Sequence, residues 1–114
     1  MNELLVESFT ITQVQVINNL QDNRPLTVYC RTQGRDLGVQ NVPFGRAFRW
    51  TVGVKEIEPY HCDLSHGNLH GHFDMFDRAY VTGQCDDGQC VWRVKSDGLY
   101  LKRSNTYELM FRWP

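Results

Sequence analysis

The chain has 114 residues, 41% of them apolar and 12% aromatic, enough for one folded domain and too few for two, since cores split only in chains well above about 200 residues. Its 12 Lys and Arg against 13 Asp and Glu leave a net charge of -1, so no global field draws in nucleic acid or an anionic membrane. No apolar run exceeds three residues, whereas crossing a bilayer takes roughly 20, so no membrane insertion is expected. The first twenty residues carry Glu3 and Glu7 and no basic stretch ahead of an apolar core, so they do not read as a signal peptide.

In chain order, the period-two alternation that marks strands begins at residues 14–17, breaks over the turn formers 18–25 and returns over 26–31. There Leu26, Val28 and Cys30 alternate with Thr27, Tyr29 and Arg31. A turn over 34–38 leads to a strand at 39–42, and after the turn 43–45 Phe48, Trp50 and Val52 alternate with Arg49 and Thr51. Residues 57–64 follow, with Pro59 confining them to an edge or a bulge because proline lacks a ladder donor. With Tyr60, Cys62 and Leu64 inward, His61 and Asp63 face solvent. Beyond a turn at 65–68, strand 69–76 sets Gly71, Phe73 and Met75 inward and His70 and His72 outward.

After a turn at 86–88, Cys90, Trp92 and Val94 alternate with Val91, Arg93 and Lys95. Asp97-Gly98 reads as a type I′ hairpin loop, because both residues tolerate the positive φ it demands. Residues 99–101 follow, and the C-terminal stretch sets Tyr107, Leu109, Phe111 and Trp113 on one face against Glu108, Met110 and Arg112. About eight antiparallel strands at this spacing predict an all-β fold, a small β-sandwich of two sheets forming a single domain over residues 1–114. Trp50, Trp92, Phe73, Phe48 and Phe111 are expected to meet between the sheets.

An even number of cysteines in a chain with a small core suits two disulfides made in an oxidising compartment, so secretion is expected, with a signal segment removed. Cys85 and Cys90 flank four turn-forming residues and would face each other at the base of a hairpin. That leaves Cys30 with Cys62. Zinc and thiol-redox readings fit less well, because Cys85-x4-Cys90 is too wide for a redox pair and has no matching second pair.

All four histidines, His61, His66, His70 and His72, fall within the segment 61–72. His70 and His72 share a strand face, and His61 with Asp63 could complete a metal or hydrolytic site if the two strands pair. The favoured reading is a polar outer sheet face, since neither His-x3-His nor HExxH occurs; no metal, cofactor or catalytic residue is expected. Ser65 and His66, adjacent on a strand, point to opposite faces and make no nucleophile–base couple. Charged loops on a stapled frame are the alternative place for function, with Asp86, Asp87, Arg35 and Asp36 as binding candidates.

Several spans resemble the plant self-incompatibility protein family, the S-protein homologues. The match runs through Val14-Gln15-Val16-Ile17-Asn18-Asn19-Leu20, Tyr29-Cys30, Asp36-Leu37-Gly38 and the Pro43-Phe44-Gly45 turn before Phe48-Arg49-Trp50. It continues through Tyr60-His61-Cys62, Phe73-Asp74-Met75-Phe76, the Cys85 to Cys90 pair with Trp92, and Asp97-Gly98 before Leu99-Tyr100-Leu101. Two positions depart from it: Thr32-Gln33-Gly34-Arg35 replaces an acidic run, and Ser65-His66 stands where a tryptophan is common. The resemblance implies a small secreted β-sandwich without known catalytic activity; in poppy such proteins act as stigma-secreted ligands that trigger rejection of self pollen. The expected partner is a cell-surface protein receptor met by a monomer, and the charge balance gives no reason to expect a nucleic-acid partner.

Overall fold

Blocks of alternating apolar and polar residues fold as strands because residues two apart share a face and can bury one row together. A computed structural model describes residues 12–53, 55–77, 85 and 88–114. Among them are nine strands: β1 (Thr12–Asn18), β2 (Leu26–Arg31), β3 (Asp36–Val42), β4 (Ala47–Val52), β5 (Tyr60–His66), β6 (Leu69–Phe76), β7 (Gln89–Lys95), β8 (Gly98–Arg103) and β9 (Thr106–Phe111). They form a five-stranded sheet, ordered β4-β1-β7-β8-β9, and a four-stranded sheet, ordered β3-β2-β5-β6. The all-β expectation holds, with one strand more than expected and one pairing of different sense. β1 and β7 run parallel, with Val14 beside Cys90 and Val16 beside Trp92. Strands so far apart in sequence are not joined by a hairpin, so nothing local dictates their direction.

The inward rows are those the alternation marks: Leu26, Val28 and Cys30 from β2 are fully buried, as are Val14 and Val16 from β1 and Trp92 and Val94 from β7. Two strings of rings cross between the sheets. In one, Phe48, Trp50, Tyr60 and Phe76 follow each other at centroid distances of 5.5, 5.5 and 6.3 Å. In the other, Phe111 lies 5.8 Å from Trp92 and 5.4 Å from Phe73, which touches Trp113 at 5.5 Å. Trp50, Phe73 and Trp92 are buried in one core, while Phe48 and Phe111 pack half-buried against it.

Cys30 and Cys62 are direct partners on β2 and β5, so their disulfide joins neighbours within one sheet, with Cα atoms 4.0 Å apart. It closes a sequence separation of 32 residues, for which loop-entropy arguments give about 3–4 kcal/mol. Cys85 and Cys90 form the second bridge, with a Cα separation of 4.8 Å.

The structure moves several local boundaries. β3 begins at Asp36, inside the expected 34–38 turn, rather than at Val39. The strand expected to begin at residue 57 begins at Tyr60, after Pro59, and Ile57 is left 76% exposed. In the β7–β8 hairpin Lys95 pairs with Gly98, so the loop residues are Ser96 and Asp97 and the positive φ falls on Gly98. In β9 the register steps from Leu99↔Phe111 to Tyr100↔Leu109, leaving Met110 as the extra residue of a bulge. A bulge reverses the alternation, so Phe111 turns into the core while Tyr107 and Leu109 stay on the outer face, and the four aromatic and aliphatic residues do not share one side.

At one end of the sandwich Asn18, fully buried, holds three segments together. Its Nδ2 donates to the Val42 carbonyl at 2.9 Å, its Oδ1 accepts from the Leu20 N–H at 2.9 Å, and its backbone bonds Arg46 and Gly45.

Candidate functional site

The outer face of the four-stranded sheet carries the histidine segment. Cross-strand pairing sets His61 opposite Asp74, Asp63 opposite His72 and Ser65 opposite His70. The His61 and His72 Nδ1 atoms bond Asp74 and Asp63 respectively, and Asp63 also accepts from Arg31 at 3.1 Å. Each of these two imidazoles thus meets one carboxylate, and among the described residues no three His, Cys, Asp or Glu side chains gather where they could hold a metal ion. His66 does not belong to this row. β5 extends one residue past Ser65, the turn contracts to Gly67-Asn68, and His66 falls on the inward side, 7% exposed, with Nε2 bonded to Asp22 at 2.9 Å. Gly67 at φ +60 supplies the left-handed conformation that so tight a turn requires, and a two-residue reading of that turn is the signal that would have placed His66 correctly.

Arg35 and Asp36 lie at the opposite end of the sandwich, where β2 ends and β5 begins. Arg35 Nη1 donates to the Thr51 carbonyl at 2.8 Å, the Tyr60 hydroxyl at 3.0 Å and Glu56 at 3.3 Å. The Tyr60 hydroxyl donates to Glu56 Oε1 at 2.5 Å, and the Gly53 N–H reaches Glu56 Oε2 at 2.9 Å. Burial, reinforced by the bond to Glu56, pushes the Tyr60 phenol up to about 12. Burial alone would raise Glu56, but the bonds from Tyr60, Gly53 and Arg35 outweigh it and hold its carboxyl below the usual range. Asp36 accepts from the Tyr29 hydroxyl at 2.7 Å and the Gly38 N–H at 2.8 Å; both bonds lower its pKa, and the first raises that of Tyr29. Both residues therefore tie loops to the frame. Asp86 and Asp87 lie outside the described residues; the flanking Cys85 and Cys90 are bonded to each other.

Two open depressions mark the loop ends. Beside Arg35, one of about 430 Å³ is walled by Thr32, Gly34 and the run Lys55, Glu56, Ile57 and Glu58. At the Asn18 end, a larger groove of about 840 Å³ gathers the β1–β2, β5–β6 and β7–β8 connections, including Asp22, Arg24, His66, Arg93, Lys95 and Asp97. Asp22 is held below its ordinary pKa, chiefly by the Arg24 N–H and then by His66. Sequence reasoning passed over Asn18, Asp22 and Glu56, because turn formers and lone carboxylates look alike until distant segments are brought together.

A sequence model of the family described as plant self-incompatibility protein S1 matches residues 13–113. Two Arabidopsis thaliana proteins, S-protein homolog 1 and S-protein homolog 74, are 29% and 31% identical over 93% and 90% of this chain, covering 72% and 70% of their own lengths. Self-incompatibility protein S1 of Papaver rhoeas is 28% identical over 81% of this chain and 68% of its own. A solved structure of SPH (self-incompatibility protein homologue) proteins, characterised there as a widespread family of small, highly stable, secreted proteins from plants, matches with a TM-score of 0.70 at 17% identity. The match covers 90% of this chain and 94% of that one, a likeness of fold.

Proposed function

Because the chain belongs to the plant self-incompatibility protein S1 family, we propose that it is a secreted extracellular recognition ligand, engaged by a protein at a cell surface through its loops rather than through a catalytic cleft. The observation that carries this reading is the Arg35 knot. By fixing Thr51, Glu56 and Tyr60 together, it holds the following loop so that Ile57 stands 76% exposed between Lys55 and Glu58. A pre-ordered loop loses less entropy when a partner binds it, and an exposed aliphatic residue ringed by charge is suited to a protein contact. The bridged Cys85–Cys90 segment, with Asp86 and Asp87 between the cysteines, is the second candidate determinant.

The test is binding of fluorescently labelled, oxidised protein to intact plant protoplasts, with and without protease shaving. The expected result is saturable binding that shaving removes and that Ile57→Asp with Lys55→Glu, or Asp86→Asn with Asp87→Asn, weakens. Binding that survives shaving would overturn the protein partner, and binding lost only in His70→Ala with His72→Ala would overturn the loop reading in favour of the histidine face.

A further inference from the structure

Sorted by register, the two outer surfaces of the sandwich differ in charge. On the five-stranded sheet Arg49 pairs with Gln15, Arg93 with Tyr100, Lys95 with Gly98 and Lys102 with Tyr107, which places four cations on one face. Strands β1, β4, β7 and β8 contain no Asp or Glu at all. The nearest acids are at the margins, where Asp97 accepts from the Tyr100 hydroxyl and Glu108 pairs with Arg103. On the four-stranded sheet Asp36, Asp63 and Asp74 face outward with Arg31 alone against them.

Two of the four cations are held by rings. The Arg93 guanidinium lies 4.0 Å from the Tyr107 ring centroid, and the Lys95 ammonium 4.9 Å from that of Tyr100. Among the described residues none of Arg49, Arg93, Lys95 and Lys102 is in an ion pair. Arg93 and Lys95 also line the groove at the Asn18 end, where Arg24 joins them and Asp22 and Asp97 stand against them.

We propose that this face binds an extended carboxylated polysaccharide, a polymer of uronic acid sugars. The four cations stretch across four strands, roughly 15 Å at about 4.8 Å per strand, a span suited to a chain rather than to a small molecule. They are too sparse for a duplex, which carries one phosphate per about 1.7 Å, and a chain with a pI near 6.4 lacks a nucleic-acid footprint. Gln13 and Gln15 between the cationic rows offer amides to sugar hydroxyls. Ring-stacked cations have already lost side-chain freedom, so less is lost on binding.

The inference rests on the extracellular reading only for where the polymer is met, and its experiment uses purified components without cells, so either reading can fail alone. Affinity is measured for a galacturonic acid oligomer long enough to cross the face, against its methyl ester, single-stranded DNA and phosphatidylserine vesicles. The oligomer is expected to bind. Its affinity should fall roughly tenfold as salt rises from about 0.05 to about 0.5 M, and by a similar factor in Arg49→Gln with Lys102→Gln, which leaves both ring stacks in place. His70→Ala with His72→Ala, on the opposite face, should change nothing. No binding, equal binding of the methyl ester, tighter binding of DNA or vesicles, or an unweakened Arg49→Gln, Lys102→Gln variant overturns the proposal.

Discussion

Two tryptophans of this core do different work. The β5–β6 register skips Met75 between Asp74 and Phe76, which leaves a bulge on an edge strand, and the Trp92 indole N–H donates to the Met75 carbonyl at 2.9 Å. Trp50 is buried just as Trp92 is, but its indole N–H has no partner among the described residues. Trp92→Phe should therefore destabilise the protein by about 2 kcal/mol more than Trp50→Phe, since only the first strands a buried carbonyl; urea midpoints of the two variants check this. Asn18→Ala removes both the donor to Val42 and the acceptor for Leu20, and should cost about 3 kcal/mol in the same assay. The inward position of Trp92 was readable from its spacing to Cys90. The role of Asn18 was not, because asparagine before a turn looks like a turn former whether or not it is buried.

At the scale of elements, what was legible is what is local: alternation along each strand and the close spacing of Cys85 and Cys90. Register was not legible. The Met110 bulge turns Phe111 inward with no mark in the alternation, and the two residues by which β5 outruns the expected strand end carry the inward row of Tyr60, Cys62 and Leu64 on to His66. Of the candidate site, the outward histidines His61, His70 and His72 could be read from alternation, while the anchoring of Arg35 by Thr51, Glu56 and Tyr60 depends on contacts between segments far apart. Turn glycines sharpen the point. A Cβ on Gly98 would lie 2.3 Å from the Phe111 carbonyl oxygen, which is backbone of β9, whereas one on Gly67 would meet the movable Arg24 guanidinium at 2.6 Å. Both sit at positive φ, so each Ala substitution carries a cost of about 1 kcal/mol for conformation. Gly98→Ala should cost about 3 kcal/mol or more by displacing a strand, and Gly67→Ala only about 1, as denaturant titration will show.

For the whole molecule, the groups with displaced pKa values set both limbs of the pH–stability profile. Asp22, Asp36 and Glu56 are lowered from 3.8, 3.8 and 4.5. A lowered carboxyl stabilises the fold above its unfolded pKa, and that contribution is lost as pH falls through the folded value. Thermal midpoints should therefore begin to drop below about pH 4.5. Tyr60 is raised from 10.0 to about 12, so its contribution is complete below pH 10 and is lost as pH rises toward 12. Tyr29 and Tyr100 are also raised, each by its bond to an aspartate, so absorbance titration at alkaline pH should show Tyr60 as the latest of several late-ionising tyrosines, and Tyr60→Phe should remove that last step.

The parallel contact between β1 and β7 also bears on how the chain is made. β1 emerges early, yet its place is inside the five-stranded sheet, between β4 and β7, and residues 19–88 lie between it and the strand that covers its second edge. The four-stranded sheet, by contrast, is complete in sequence by Phe76, and its Cys30–Cys62 bridge can be oxidised before β7 exists. Until then β1 presents an unpaired edge, a template on which another nascent chain could add a strand. Assembly must therefore wait for a late, non-local closure of the kind that slows folding. The yield of native protein during biosynthesis then depends on how long that open edge is shielded, more than on the strength of any contact in the finished fold.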